Sequence, residues 1–370
     1  MDSKEYTKYS AHCPLCNRAI EFQLSDLELE ANKKGEFALI KLPSHGLPPH
    51  GLKVYIDSEK NIRSSYPTIV ENNSFLADRD LKYNHIVDGS ADISVEDGKN
   101  IGLEVIPYQM VIEGKIKRKY LTEINQNDVI NLILNEQKID CESITVDDYL
   151  DTLIKCDNQK PIIINTISSQ INKNYVNALK AKKTIEKVNP SLAQNIIIND
   201  TNAICPILKI IATYSIELDK KGYLLNQILE FINWLKFSHR TYLIAESLDC
   251  LKRNNIIGAL ASFSESVKGT RPLLVGNVEG QGRIEPYKSI KSTKEGLGEI
   301  IRLIKKEFRG KELTGVIYHS MAESAAIKLL EYLEIMLEIR KEDFLVEPVG
   351  STLCIQGGVG LLGLSVYPKN

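Results

Sequence analysis

An α/β architecture is predicted for most of this chain, on three observations. From Ile86 onward, short β-rich runs alternate with helical patterns, which is how strand-helix-strand units around a largely parallel sheet read in sequence. After a long amphipathic helix the chain returns to short β-rich runs, so a mixed second part is expected. The first eighty residues differ in kind, because they alone carry a closely spaced cysteine pair and several histidines.

Taken in order, the polar stretch Ser64 to Asn84 reads as a linker. Ile162 to Asn165 is apolar enough for a buried strand, and Lys173 to Lys187 after it reads as a helix. Ile196 to Ile198 predicts a strand, followed by a helix over about Ala203 to Ile216. Leu225, Ile228, Leu229, Ile232 and Leu235 fall three or four apart and predict a helix that opens after Gly222. Leu243 with Ile244, and Gly315 to His319, predict two further strands. Met321, Ala325, Leu329, Leu333 and Met336 share one face of a long helix. Phe344 to Val349, Thr352 to Ile355 and Leu361 to Val366 read as three short strands, with Gly357, Gly358 and Gly360 at the turn between the last two. The expected division is a module over 1–63, a linker over 64–84, one α/β lobe over 85–240 and a second, mixed lobe over 241–370.

Composition narrows the function. The chain has 370 residues, 43% hydrophobic and 25% charged, enough for two or three domains with real cores. A formal charge of −2 provides no global field for a polyanion, so nucleic acid is not expected as the main partner. No run approaches the roughly 18 to 20 apolar residues of a membrane span, and the N-terminus lacks the apolar core of a signal peptide, so a cytoplasmic protein is expected. Seven scattered cysteines suggest reduced thiols and a metal site, not a disulfide framework.

The metal candidate is N-terminal. Cys13 and Cys16 form a Cys-x2-Cys pair, and His45 and His50 a His-x4-His pair within HGLPPH. Thiolates and imidazoles are the donors tetrahedral zinc prefers, and two short-spaced pairs supply the four ligands of a closed structural site. The alternative reading is two ordinary surface turns.

In open α/β sheets, ligands bind beyond the carboxyl ends of the strands. Three polar loops occupy such positions: DGSADI with Asp88, Ser90 and Asp92, TISSQINKN with Thr166, Ser168, Ser169 and Asn172, and NDTNAI with Asp200 and Thr201. Hydroxyls and amides beside helix N-termini can hold a carboxylate or phosphate. The same residues are also ordinary helix caps, and composition alone leaves both readings open. His239, His319 and Cys205 have no partner in the sequence that would make any of them a nucleophile.

The landmarks, in order, resemble the DegV family of fatty-acid-binding proteins over about residues 85 to 368. HIVDGSADI is similar to the family's opening Asp-Ser-Thr-Ala-Asp-Leu run at Asp88, Ser90, Ala91, Asp92 and Ile93. IGLEVIPYQMVIEGKIKRKY is similar to its strand, proline and strand leading to a tyrosine. TISSQINKNYVNALKA resembles its Ile-Ser-Ser segment at Ile167, Ser168, Ser169, Ile171, Tyr175 and Ala178. ESLDCLKRNNIIGA, VKGTRPLLVGNVEGQGRIEPYKSIKS and VGSTLCIQGGVGLLGLSVYP follow in the expected order.

The resemblance implies a two-lobed body that carries a long-chain acyl ligand, with the head group gripped by small polar side chains between the lobes. It also implies a carrier and not a catalyst, the ligand being presented to a separate fatty acid kinase. This chain departs from the family at several motifs. Cys141, Glu142, Ser143 and Ile144 stand at its Thr-Ser-Gln-Pro, Ile171 to Asn174 at its Leu-Ser-Gly-Thr, and Asn254 to Ile257 at its Gly-Gly-Arg-Ile. Gln356 stands where the family places a histidine. A neutral head group such as an ester or alcohol, or a charge supplied by Lys173, would accommodate these changes. The expected head-group residues are Ser90, Ser168, Ser169, Asn172 and Gln356. Two other functions stay open: a phosphotransfer enzyme related to dihydroxyacetone kinases, and a degenerate DegV-like regulatory protein whose zinc module docks a partner.

Overall fold

The computed structural model describes residues 6–13, 18–34, 37–45, 50–68, 80–245 and 269–369. They fall into two compact units. One contains the described residues up to 68 together with 221–234, and the other contains 80–220 and 235–369.

In the first unit, β1 (Tyr6–His12) and β2 (Ala19–Ser25) form an antiparallel hairpin. Tyr9 and Ala11 are buried while their neighbours are exposed, the period-two pattern of a strand with one covered face. Ser25 caps α1 (Asp26–Ala31) in a reciprocal capping box with Glu28. β3 (Lys33–Lys34), β4 (Phe37–His45), β5 (His50–Asp57) and β6 (Ile62–Thr68) pair antiparallel in that order. β6 thus runs through the first residues of the expected linker; positions 69–79 lie outside the described residues. Cys13, Ile40, Leu52, Val54 and Ile56 build the core.

The second unit begins with β7 (Asn84–Asp88), α2 (Val95–Ile101), β8 (Leu103–Ile106), β9 (Gln109–Ile112) and β10 (Ile116–Lys119). α3 (Gln126–Leu134), β11 (Ile139–Glu142), α4 (Val146–Lys155) and β12 (Ile162–Thr166) follow, then α5 (Asn174–Val188), α6 (Pro190–Gln194), β13 (Ile196–Asp200) and α7 (Cys205–Lys220). Among the described residues, β13, β12, β7 and β8 form an all-parallel sheet in that order, as the alternating pattern predicts. β12 is buried at all five positions, which is why it reads as a continuous apolar run. His85 at the start of β7 is tied into a buried structural contact: its Nε2 lies 3.0 Å from Asp219, whose carboxylate also accepts the Lys82 and Tyr83 N–H groups.

α8 (Leu225–Ser238) follows in the chain, with residues 225–234 counted in the first unit. The second lobe comprises β14 (Arg240–Ile244), β15 (Arg271–Gly276), β16 (Ile284–Ile290), α9 (Thr293–Glu307), β17 (Leu313–His319), α10 (Glu323–Leu337), β18 (Phe344–Pro348), α11 (Ser351–Gly357) and β19 (Leu362–Pro368). Its sheet runs β16-β15-β14-β19-β17-β18 and is mixed, with β17 and β18 parallel and the other pairs antiparallel.

One prediction fails here. Thr352 to Ile355, expected as a strand, lies in helix α11. Residues 351 to 355 are all buried, so the segment has no polar face to reveal a helical period, and a short apolar run does not distinguish the two states. The glycine cluster therefore joins a helix to a strand. Gly358 and Gly360 take φ of 85° and 102°, which side chains rarely adopt.

Candidate functional site

A cleft of about 390 Å³ opens at the carboxyl ends of β7 and β12, where the two lobes of the second unit meet. Its floor is set by Asp88. This fully buried carboxylate accepts the Ser90 N–H at 3.0 Å through Oδ1 and the Ile167 N–H at 2.7 Å through Oδ2, tying the two strand ends together. Burial pushes its pKa up from the usual carboxylate value, against the pull of these donors. The turn it caps presents Ser90 to the cleft.

The second wall comes from the loop after β12. Ser169 lines the cleft while its N–H donates to Asp200 Oδ1 at 3.0 Å. Asn172 also lines it; its Oδ1 accepts the Asn174 N–H at 2.9 Å at the start of α5, so its amide N–H groups remain for a ligand. Ser168 is placed differently from expectation. It is not among the lining residues, and its hydroxyl donates to Gly282 O at 2.7 Å, tying one lobe to the other. Gly282 has φ of +68°, and a Cβ there would press on Ser168 and Asn202. Both hydroxyls and amides thus serve as caps and ties, and three of them also face the cleft.

The third wall is α11, which contributes Thr352, Ile355 and Gln356. The charged lining residues are Glu142 and Lys173. Lys117 holds Glu142 at 2.8 and 3.0 Å, so the cleft is left with one uncompensated positive charge, on the exposed Lys173.

Beside the cleft lies a cavity of about 110 Å³ lined by Asp92, Tyr120, Cys205, Lys209, Glu347 and Gly350, among others. Asp92 has φ of 54°, and its Oδ2 accepts the Cys205 thiol. Its Oδ1 is enclosed without a hydrogen-bond partner. Burial pushes the Asp92 carboxyl up to about 6, and burial together with the Asp92 charge pushes the Cys205 thiol well above its usual value. A thiol so protonated is not a nucleophile.

Neither His239 nor His319 lines the cleft. His239 is buried with Nδ1 2.7 Å from Leu235 O, and burial pushes its pKa down to about 4. His319 Nδ1 accepts the Ala322 N–H at 3.3 Å.

A profile of the DegV family, described as uncharacterised proteins, matches residues 83–369. The chain belongs to the DegV family. A DegV domain-containing protein of Clostridium perfringens is 24% identical over 204 residues, 55% of this chain and 68% of that protein. One from Staphylococcus aureus is 21% identical over 290 residues, 75% of this chain and 97% of that protein. Among solved structures, a fatty-acid-binding DegV protein of Thermus thermophilus superposes with a TM-score of 0.69 at 17% identity, covering 78% of this chain and 100% of its own. A stearic acid-binding protein of Eubacterium ventriosum gives 0.65 at 16%, covering 78% and 98%. These similarities establish the DegV fold for the second unit.

Four of the five expected head-group residues therefore line one cleft: Ser90, Ser169, Asn172 and Gln356. Sequence reasoning missed Tyr108 and Thr352, which line it too; the only signal was the tyrosine-bearing strand segment around Pro107. Asn254 to Ile257 lie outside the described residues. So do Cys16 and the side chains of His45 and His50. Among the described residues no group of three metal-ligating side chains occurs, and no helix is long and apolar enough to cross a membrane.

Proposed function

We propose that this DegV protein binds a fatty acid or related long-chain acyl ligand and carries it without transforming it, in the cytoplasm. The observation that carries this reading is the convergence of Ser90, Ser169, Asn172 and Gln356 from three separate segments on one inter-lobe cleft. Supporting this, the fatty-acid-binding DegV protein of Thermus thermophilus and the stearic acid-binding protein of Eubacterium ventriosum share its fold. The head group is a carboxylate, held by neutral donors with Lys173 supplying the charge that Gln356 lacks. The aliphatic part lies against Ile171 and Ile355, the aliphatic residues of the lining. The partner that receives the ligand is a separate fatty acid kinase.

Titration with cis-parinaric acid, a fluorescent 18-carbon fatty acid, tests the reading. Saturable binding is expected, weakened about tenfold by Asn172→Ala or Gln356→Ala, the loss of one hydrogen bond to a charged group. Equal affinity in both variants and the parent would contradict it.

For the N-terminal unit we propose a structural zinc ion on Cys13, Cys16, His45 and His50. Supporting this, the Cys13 N–H donates to Arg18 O at 2.9 Å, so the residues on either side of 14–17 lie together. Positions 45 and 50 face each other as paired residues across β4 and β5. Metal analysis should find one equivalent of zinc, lost in Cys13→Ser; metal-free folded protein would rule the site out.

A further inference from the structure

α11 belongs to the second lobe by sequence, between β18 and β19, yet its side chains dock on the first. Ile355 packs into the same apolar cluster as Met110, Ile139 and Tyr149. The Ser351 N–H donates to Tyr120 Oη at 3.1 Å, and Thr352 Oγ1 donates to Tyr108 Oη at 2.7 Å. The two phenol rings stack with centroids 4.9 Å apart, so each fixes the other's orientation. The Gln126 side-chain amide donates to Val349 O just before the helix. Both tyrosines are buried, 4% and 2% exposed, and each hydroxyl meets its need for a partner by accepting from α11.

A seven-residue helix is too short to hold its own position, because nucleation costs exceed what two turns return. Its placement must come from these tethers and from the Ser320–Cys354 contact of 3.0 Å on the other side. Gln356 and Thr352 sit on that helix and face the cleft.

We infer that the stacked pair Tyr108 and Tyr120 are positioning residues for the acyl head group: their hydroxyls set where α11 places Gln356 relative to Ser90 and Asn172. The inference rests on the acyl-binding reading of the cleft. It makes the head-group site a two-lobe construction, in which the first lobe dictates the geometry of the second lobe's contribution. Neither tyrosine need touch the head group for its hydroxyl to matter.

Tyr108→Phe and Tyr120→Phe keep the stacked rings and remove only the acceptors. Each should weaken cis-parinaric acid binding about fivefold, the cost of one misplaced hydrogen bond. In a Gln356→Ala background the same substitutions should cost nothing further, since the group they position is gone. A purely structural role would give equal losses in both backgrounds, and that result, or unchanged affinity, overturns the inference. If the parent protein binds no acyl probe, the ligand reading fails and the positioning role is read independently by hydrogen exchange. The amides of 351–357 should then exchange faster in the double Phe variant while those of α9 are unchanged; unaltered exchange at 351–357 overturns it.

Discussion

Asp88→Ala is expected to destabilise the protein by about 3 kcal/mol and to abolish acyl binding at the cleft. The carboxylate accepts two backbone N–H groups, from Ser90 and Ile167, at a position with no solvent access. Alanine leaves both donors buried without partners, at about 1 to 3 kcal/mol each. Part of that loss is offset, because burial disfavours the ionised carboxylate itself. The turn that presents Ser90 is capped by Asp88, so the binding loss follows from geometry and not from charge. Urea unfolding checks the magnitude. A loss under about 0.5 kcal/mol, the scale of an inert surface change, would mean the carboxylate does not organise the strand ends.

Asp92 is expected to make stability depend on pH in the opposite sense to a salt-bridged carboxylate. Burial raises its pKa from 3.8 to about 6, so the folded state binds the proton more tightly than the unfolded chain. The contribution is fully present below about pH 4 and is lost as pH rises through 6. The difference corresponds to at most about 3 kcal/mol, and residual solvent contact of the side chain brings the expected value to about 1 to 2. Asp92→Asn should therefore be more stable than the parent at pH 7.5 and similar to it near pH 3.5. Comparing the two proteins at each pH cancels every other titrating group. A difference that stays constant across that range would show that Asp92 is not held in a costly ionised state.

Strands were legible where burial makes them uniformly apolar, as in Ile162 to Asn165, and helices where one face is solvated, as in α10. α11 was not legible, because uniform burial erases the polar face that marks a helix. The cleft residues were found through their places in the DegV pattern, which is why Gln356 could be singled out although its segment was assigned to the wrong element. Ser168 shows the limit of that route: its position is right, but a lobe contact to Gly282 consumes its hydroxyl. Tyr108 and Tyr120 were invisible as site residues because their partners lie 244 and 231 residues away. Nothing in a local pattern encodes such contacts.

The cleft at the ends of β7 and β12 is expected to be the seat of an acyl head group. Native mass spectrometry of gently purified protein tests it most directly, with lipid extraction to identify what is released. One equivalent of a long-chain acyl species is expected, diminished in Gln356→Ala and absent from Asp88→Ala. Protein that carries no lipid, and takes up none when offered an 18-carbon fatty acid, would contradict it.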